Sequence, residues 1–209
     1  KLSASDYDDP SGSSKLTTGG WDLVQFHPSY GYEDFIRGIE VKPVNGTPTY
    51  ASVNRILGKI AEFAKLAEVG AVQGNIPRFY LVIDEINRAN LATVFGELIY
   101  GLEYRNSKVS TPYEVNDRVL NAVSKDIVLG NNLFIIGTMN TADKSIDSID
   151  YAIRRRFIFV DSPAKRDVVV SCYQNTMSVT DEYSIEVLLF DSVGYLFEGT
   201  HFFNDEYQR

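Results

Sequence analysis

The fold of this chain is decided by the stretch Phe79-Tyr80-Leu81-Val82-Ile83-Asp84-Glu85, in which an unbroken apolar run ends at two carboxylates. An apolar run of this length is typical of a strand that is covered on both faces. Residues 133–136 and residues 157–160 are further runs of the same kind. Because amphipathic helices are predicted between these runs, the sequence predicts an α/β fold with a parallel sheet covered by helices on both faces.

Changes in composition and spacing divide the rest of the chain. Residues 1–20 are rich in Ser, Asp, Gly and Thr, and we expect a flexible N-terminal segment there. A core of strands and helices is predicted over residues 21–162, followed by helices and turns over residues 163–209. Within the core we expect a strand at 21–27, a loop at 42–50, helices at 53–70 and 90–102, an irregular insertion or hairpin at 104–130, and a helix that begins at Ser145 or Asp147 and ends near Arg156.

Composition and charge exclude several classes of function. The 209 residues carry a net charge of −8 without an evident basic face, so a broad surface for the phosphate backbone of nucleic acids is not expected in this segment. The lone Cys172 excludes a disulfide framework and a multi-cysteine zinc site. The sequence has no apolar run near the ~20 residues of a membrane span and no signal-peptide pattern, so we expect a soluble, cytoplasmic protein without a membrane partner.

The chemistry is expected at the carboxyl ends of the strands, where open parallel sheets bind their ligands. Asp84 and Glu85 end one strand, and Asn140 comes shortly after another. An apolar strand that ends in Asp-Glu is the arrangement of a nucleotide hydrolase, in which the first carboxylate orients hydrated Mg²⁺ and the second polarises the attacking water. Asn140 can donate and accept hydrogen bonds, which suits it either to position that water or to sense the terminal phosphate. The alternative is that Asp84 and Glu85 only begin a loop.

Three motifs occur in the order and spacing of an AAA+ ATPase module. They are Asp84-Glu85-Ile86-Asn87-Arg88-Ala89-Asn90, Gly137-Thr138-Met139-Asn140-Thr141-Ala142-Asp143-Lys144-Ser145 and Ala152-Ile153-Arg154-Arg155-Arg156-Phe157. More narrowly, they resemble the McrB family, the GTP-hydrolysing subunits of bacterial modification-dependent restriction systems specific for 5-methylcytosine. Residues 139–143 resemble the signature of that family, and residues 26–35 resemble its segment after the second strand. The resemblance covers roughly residues 21–163 and implies a P-loop-type parallel sheet flanked by helices. It also implies a partial or reduced helical lid over residues 163–209.

The resemblance implies a role for each residue that matches a motif. Asp84 would be the Walker B residue that holds Mg²⁺, and Glu85 would be the catalytic base. Asn140 would be the sensor that orients water, with Asp143 of the signature beside it. Lys144 lies at a position where the family commonly has Arg. Lysine keeps the positive charge but cannot form the bidentate hydrogen bonds of a guanidinium group.

The resemblance also indicates contacts to a neighbouring subunit. Arg155 and Arg156 match the arginines that reach the nucleotide of the next subunit, which are called arginine fingers. The alternative from the residues alone is a solvated helix end at which cations balance the helix dipole. Asn87 and Arg88 are candidate contacts of the same kind, or they shape the turn that follows the two carboxylates.

The phosphate loop of such modules, Gly-x-x-x-x-Gly-Lys-Ser/Thr, has no match within the 209 residues. The stretch that comes nearest is Gly12-Ser13-Ser14-Lys15-Leu16, which lacks the second Gly and the hydroxyl after Lys. An AAA+ module carries this loop before the strand predicted at 21–27. Either the chain begins after the loop, or the sequence is incomplete, or the protein is a degenerate member, and we expect residues 1–209 alone to be inactive.

The function implied by the resemblance is that of an AAA+ nucleoside triphosphatase, which hydrolyses GTP or ATP with Mg²⁺ in a modification-dependent DNA restriction complex. It implies a homo-oligomeric ring, a hexamer, with a McrC-like nuclease subunit and with DNA bound through a separate domain. Two alternatives stay open: a non-hydrolysing AAA+ scaffold or regulatory subunit, and an AAA+ remodelling chaperone.

Overall fold

The computed structural model describes residues 1–44, 46–71, 75–140, 149–162, 167–168 and 170–171. The chain divides into two compact units, Lys1–Ile158 and Phe159–Arg209. In the second unit, residues 167–168 and 170–171 are helical, and most of the predicted lid lies outside the described residues. None of the described helices is long and apolar enough to cross a membrane.

The first unit combines a parallel sheet with two antiparallel hairpins and short helices. Its helices are α1 (Ala4–Asp8), α2 (Lys15–Thr18), α3 (Tyr32–Phe35), α4 (Ile56–Gly70), α5 (Leu91–Phe95), α6 (Leu98–Glu103) and α7 (Tyr151–Arg154). Its strands are β1 (Gly20–Gln25), β2 (Arg37–Val44), β3 (Thr47–Asn54), β4 (Phe79–Asp84), β5 (Lys108–Asp117), β6 (Ala122–Val128) and β7 (Leu133–Gly137).

The parallel sheet has three strands in the order β1-β4-β7. β1 pairs with β4 so that Gln25 lies opposite Asp84. β4 pairs with β7 so that Ile83 lies opposite Gly137. The strands expected at 21–27, 79–83 and 133–136 are therefore confirmed within a residue or two, and so is the α/β class with a parallel sheet flanked by helices.

One face of this sheet is packed, and the other is open to solvent. On the packed face, the Phe63 ring of α4 meets the Phe79 ring of β4 edge-on, with centroids 5.5 Å apart. The opposite face carries four large apolar side chains that are 41–48% exposed: Trp21, Leu23, Phe134 and Ile136. Within the described part of the chain, the expectation of cover on both faces thus holds for one face.

The apolar run at residues 157–160, from which a buried strand is predicted, forms no strand. Ile158 is 93% exposed and Val160 is 83% exposed. Strand geometry depends on hydrogen bonds to a neighbouring strand, which apolar composition alone cannot supply. The prediction is wrong because this run pairs with no strand among the described residues.

The N-terminal segment is built of short helices, which corrects the expectation of a flexible loop or tail. Leu2 and Tyr7 are buried in the core. Ser3 and Asp6 form a capping box at the start of α1. Hydrogen bonds from the Ser13 and Ser3 hydroxyls lower the pKa of Asp6 to about 2. Two apolar anchors and a local polar network thus give structure to a segment whose average composition is that of a loop.

The loop predicted at residues 42–50 is instead part of an antiparallel hairpin formed by β2 and β3. Pro43 and Pro48, which favour a loop in the sequence, lie directly opposite each other in this ladder. A two-stranded hairpin tolerates them because each strand has a free edge that needs no N–H donor. β3 also takes up the first residues of the predicted helix, so that α4 begins at Ile56 rather than at Val53.

The helix predicted at 90–102 is broken into α5 and α6 at Gly96. The φ of this glycine is 47°, in the left-handed region that glycine adopts without steric cost. The predicted cap is confirmed, since the Asn90 side chain accepts a hydrogen bond from the Thr93 backbone N–H at 3.0 Å.

The last helix of the unit begins later than predicted. Ser145 and Asp147, the expected starts, lie outside the described residues, but residues 149 and 150 are not helical. Asp150 caps α7 by accepting a hydrogen bond from the Ala152 backbone N–H at 2.9 Å. A capping residue has extended backbone, so the helix starts after it, at Tyr151.

The insertion at residues 104–130 is a hairpin of β5 and β6, and a buried arginine holds it. A bulge interrupts the ladder between Ser110 and Val115. The Arg37 guanidinium, from a side chain that is 2% exposed, donates to the Thr111 hydroxyl and to backbone carbonyl groups of both strands at 2.7–3.4 Å. Burial lowers the pKa of Arg37. The side chain thus provides donors to carbonyl groups around the interrupted ladder.

We expect Arg37→Lys to lower the free energy of unfolding by about 2–4 kcal/mol, because an ammonium group cannot reach the same set of carbonyl groups. Arg55→Lys is the matched control, since Arg55 also donates to backbone carbonyl groups but at exposed positions. Its cost should stay below ~1 kcal/mol. Urea unfolding followed by circular dichroism measures both changes, and equal losses would contradict the role of Arg37.

Candidate functional site

The carboxyl ends of β4 and β7 meet through a single hydroxyl group. Because Ile83 lies opposite Gly137, the residues that follow them fall at the same edge of the sheet. The Thr138 hydroxyl donates to Asp84 Oδ1 at 2.5 Å, and its oxygen accepts from the Glu85 backbone N–H at 3.3 Å. Thr138 thus ties both carboxylate-bearing residues to the neighbouring strand.

The backbone of Glu85 turns sharply where β4 ends. Its φ of 54° lies in the left-handed region, which residues other than glycine rarely adopt. Two backbone hydrogen bonds of 2.9 Å hold the turn, from Thr138 to the Ile83 carbonyl and from Ile86 to the Thr138 carbonyl. The carboxylate is held in turn by Arg88, whose Nε donates to Oε2 at 3.2 Å. Backbone conformations of this kind cluster at functional sites, where the surrounding structure enforces them.

Gly137 allows this turn to pack closely on the end of β7. A Cβ atom at that position would lie 2.7 Å from Cδ1 of Ile86. Ile86 is itself buried and carries the segment after Glu85 onto the strand end. A side chain at Gly137 would therefore force the Ile86 side chain to move.

Asn87 connects the turn to Asn140. The side chain of Asn87 is 8% exposed, and its Nδ2 donates to the Asn140 carbonyl at 3.4 Å. Its Oδ1 is buried without a hydrogen-bond partner in the part of the chain that the structure describes. A buried acceptor of this kind is a place where a water or a ligand donor is expected.

The structure brings together five of the predicted site residues: Asp84, Glu85, Asn87, Arg88 and Asn140. Asp143 and Lys144 lie outside the described residues. No cluster of three or more His, Cys, Asp and Glu side chains that could hold a metal ion occurs among the residues with described positions. Asp84 fits Mg²⁺ in its chemistry, because this ion usually takes one or two protein carboxylates and completes its shell with water and phosphate oxygens.

The arginine pair contacts a different carboxylate. Arg155 Nη2 and Arg156 Nη2 lie 3.2 Å and 2.6 Å from Glu103 Oε2, at the end of α6. The Arg155 side chain is 53% exposed, whereas the Arg156 side chain is 10% exposed. The Arg156 guanidinium also donates to the Ala152 carbonyl of the preceding helix, α7. The pair is thus attached to α6 and α7 and not to the turn at Glu85.

Sequence reasoning does not single out two residues of these networks, Thr138 and Glu103. Thr138 has a usable signal, because it is a hydroxyl residue that directly follows a buried strand. Glu103 has none, since its contacts with Arg155 and Arg156 join residues that are 52 and 53 positions apart.

The sequence is similar to proteins of known families. It matches the family AAA domain (dynein-related subfamily) over residues 13–157. It is 38% identical over 143 residues to the type IV methyl-directed restriction enzyme EcoKMcrB subunit of Escherichia coli K12, with 66% of this chain and 28% of that protein covered. It is 29% identical over 159 residues to the type II restriction enzyme BsuMI component YdiS of Bacillus subtilis 168, with 65% and 46% covered. The chain thus spans less than half the length of each relative.

Among solved structures, a candidate ATPase from Cytophaga hutchinsonii aligns with a TM-score of 0.42 and 15% identity, over 78% of this chain and 41% of that one. The family match extends over more than half of the chain and includes both the turn at Glu85 and the arginine pair. The chain therefore belongs to the dynein-related subfamily of AAA domains, within which it is McrB-like.

Proposed function

We propose that this chain is the nucleotide-hydrolysing core of an AAA+ motor that uses GTP or ATP. The observation that carries the proposal is the Thr138 hydroxyl between Asp84 and Glu85, which holds two carboxylate-bearing residues at the carboxyl edge of a parallel sheet. Ligands of open parallel sheets bind at that edge. Membership of the AAA family supports the use of a nucleotide with Mg²⁺ in general terms.

Asp84 is proposed to hold the Mg²⁺ that accompanies the nucleotide. Thr138 donates to one oxygen of its carboxylate, which restricts the side chain to one orientation. When bound, the ion would neutralise charge on the phosphate groups. Asp84 contributes a fixed carboxylate to which waters of the ion can donate hydrogen bonds.

Glu85 is proposed to be the general base that takes a proton from the attacking water. Arg88 holds its carboxylate on one side, and the backbone turn determines the direction in which the side chain leaves β4. Asn140, which Asn87 connects to the same turn, is proposed to orient that water. A base and an orienting group must both lie within hydrogen-bond reach of one water for this chemistry. Asp143 of the signature is proposed to support Asn140.

The phosphate loop is proposed to come from outside these 209 residues. The backbone amides and the Lys of this loop supply most contacts to the phosphates, and the 209 residues contain no match to its motif. The open face of the sheet supports this proposal, because the exposed side chains of Trp21, Leu23, Phe134 and Ile136 form an apolar surface. A helix packed on this face would cover part of that surface, and a further strand at an edge of the sheet could carry the loop to the Asp84 edge.

Arg155 and Arg156 are proposed to act across a subunit boundary. They follow α7 directly, and Arg155 is half-exposed. A guanidinium group at such a boundary can stabilise the charge that develops on a transferring phosphoryl group. A homo-oligomeric ring, a hexamer, would bring each arginine pair to the nucleotide of the next subunit.

The motor is proposed to serve DNA restriction. Both relatives carry the names of restriction enzyme components, one of them methyl-directed. The partner would be a McrC-like nuclease subunit, and DNA would bind through a separate domain, since this chain has a net charge of −8. A remodelling chaperone, the other hydrolysing alternative, would need no nuclease partner.

In the full-length protein, Glu85→Gln should lower kcat by about 10²–10⁴, because the amide keeps the size of the side chain but cannot accept the proton. Nucleotide affinity should stay unchanged. Asp84→Asn is the matched comparison, and it should weaken the Mg²⁺-dependent part of binding instead. Phosphate-release assays and nucleotide titrations measure the two effects. Equal hydrolysis by the wild type and Glu85→Gln would contradict the proposal and favour a non-hydrolysing scaffold.

Residues 1–209 alone should bind GTP and ATP only weakly, with dissociation constants above about 1 mM, because they lack the loop that makes most phosphate contacts. Titration calorimetry in the presence of Mg²⁺ measures these constants, with the full-length protein as the control. Micromolar binding by the isolated segment would mean that its own residues hold the phosphates.

Arg155→Ala should lower the kcat of a homogeneous ring by about 10³ while it leaves each subunit's own nucleotide affinity intact, so that a small residual turnover can still be measured. Mixing this variant with Glu85→Gln, which also turns over slowly alone, should restore part of the activity. Some interfaces then pair an intact Glu85 with an intact arginine. The absence of rescue in rings shown by mass spectrometry to be mixed would indicate that the arginine acts within its own subunit.

A further inference from the structure

Glu103 is the only acidic side chain that contacts Arg155 or Arg156 in the part of the chain that the structure describes. One carboxylate oxygen, Oε2, contacts both guanidinium groups, at 3.2 Å from Arg155 Nη2 and at 2.6 Å from Arg156 Nη2. The carboxylate is partly exposed, and it lies at the last position of α6. A single acceptor thus joins α6 to the segment that follows α7.

The two arginines are held with different strength. Arg156 is 10% exposed, has the shorter contact with Glu103, and also donates to the Ala152 carbonyl. Arg155 is 53% exposed and has one hydrogen bond to Glu103 from its side chain. Water screens an exposed ion pair, so that it opens at little cost, whereas a pair that is withdrawn from water stays closed.

The surface of α6 around Glu103 has the character of a contact surface. Tyr100 lies three residues before Glu103 on α6, so that the two share a helix face, and Tyr104 directly follows the helix. The two tyrosine rings stack with centroids 4.5 Å apart, and both side chains are half-exposed. Exposed tyrosine and arginine side chains are the types that contribute most to binding between proteins. The two tyrosines therefore suit a contact with another protein, and the proposed ring makes a second copy of this chain that protein.

We propose that Glu103 is a positioning residue that anchors Arg156 and holds Arg155 ready for a neighbouring copy of this chain. Arg156 stays in its own subunit and fixes the end of α7 against α6. Arg155 leaves Glu103 when the neighbour docks, and it alone reaches the neighbour's phosphate groups. This inference rests on the proposed function and narrows it, because it assigns the contact with the neighbour's nucleotide to Arg155 alone.

Melting temperatures of the full-length protein test the anchor independently of hydrolysis. Arg156→Ala should lower the melting temperature by about 4 °C, because it removes the shorter of the two contacts of Glu103 and the hydrogen bond from Arg156 to the Ala152 carbonyl. Arg155→Ala should change it by less than about 1 °C, since the exposed pair contributes little. Glu114→Gln is the matched control, because Glu114 forms an exposed ion pair with Lys125 at 3.6 Å, and it should leave the melting temperature unchanged. Equal decreases in melting temperature for Arg156→Ala and Arg155→Ala would contradict the proposed role of Arg156 as the anchor.

Steady-state kinetics test the positioning role. Glu103→Gln should lower kcat about tenfold with KM unchanged, because it loosens Arg156 and the end of α7 and thereby misplaces Arg155, which acts in the transition state. In an Arg155→Ala background the same substitution should lower kcat no further, since Glu103 acts through Arg155. Glu103→Asp, which keeps the charge, should restore part of the loss.

Two outcomes separate failure of the inference from failure of the proposed function. If hydrolysis depends on Glu85 but Glu103→Gln lowers kcat by the same factor with and without Arg155, Glu103 does not position that arginine and the inference is overturned alone. If no hydrolysis depends on Glu85, the proposed function falls, and the role of Arg155 falls with it.

Discussion

The parallel pairing of β4 with β7 is the constraint on which the candidate site depends. It brings the Thr138 hydroxyl against Asp84, to which it donates a hydrogen bond. The same hydroxyl accepts a hydrogen bond from the backbone N–H of Glu85. The left-handed turn at Glu85 is held because Ile86 packs where Gly137 has no side chain. A shift of β7 by one residue would separate these groups, since successive side chains of a strand point to opposite faces.

The sheet and the polar residues at its carboxyl edge could be predicted from the sequence because their signals are local. An unbroken apolar run identifies a buried strand without knowledge of its neighbours, and the residues after such a run must lie at the carboxyl edge. Asp84, Glu85 and Asn140 follow from that reasoning, and the structure connects their segments through Thr138 and Asn87. The run at residues 157–160 shows the limit, because a strand also needs a partner with free hydrogen-bonding groups.

The remaining features depend on contacts between distant residues and leave no local pattern. Arg37 donates hydrogen bonds to a bulged hairpin more than seventy positions away in the sequence. Neither the buried arginine nor the bulge can therefore be predicted from the residues around it. The N-terminal segment has the composition of a loop, but the burial of Leu2 and Tyr7 gives it structure. The contacts of Glu103 with Arg155 and Arg156 also join distant positions. The unequal exposure of the two arginines results from packing, which sequence spacing does not predict.

A structure of the full-length protein with Mg²⁺ and a non-hydrolysable GTP or ATP analogue decides whether the β4–β7 edge is the site of hydrolysis. We predict that the terminal phosphate lies beyond the carboxyl ends of these strands. Asp84 should then contact a water of the Mg²⁺ shell, and one further water should lie within hydrogen-bond distance of both Glu85 and Asn140. A nucleotide bound away from this edge, or a terminal phosphate without Glu85 and Asn140 beside it, would contradict the assignment.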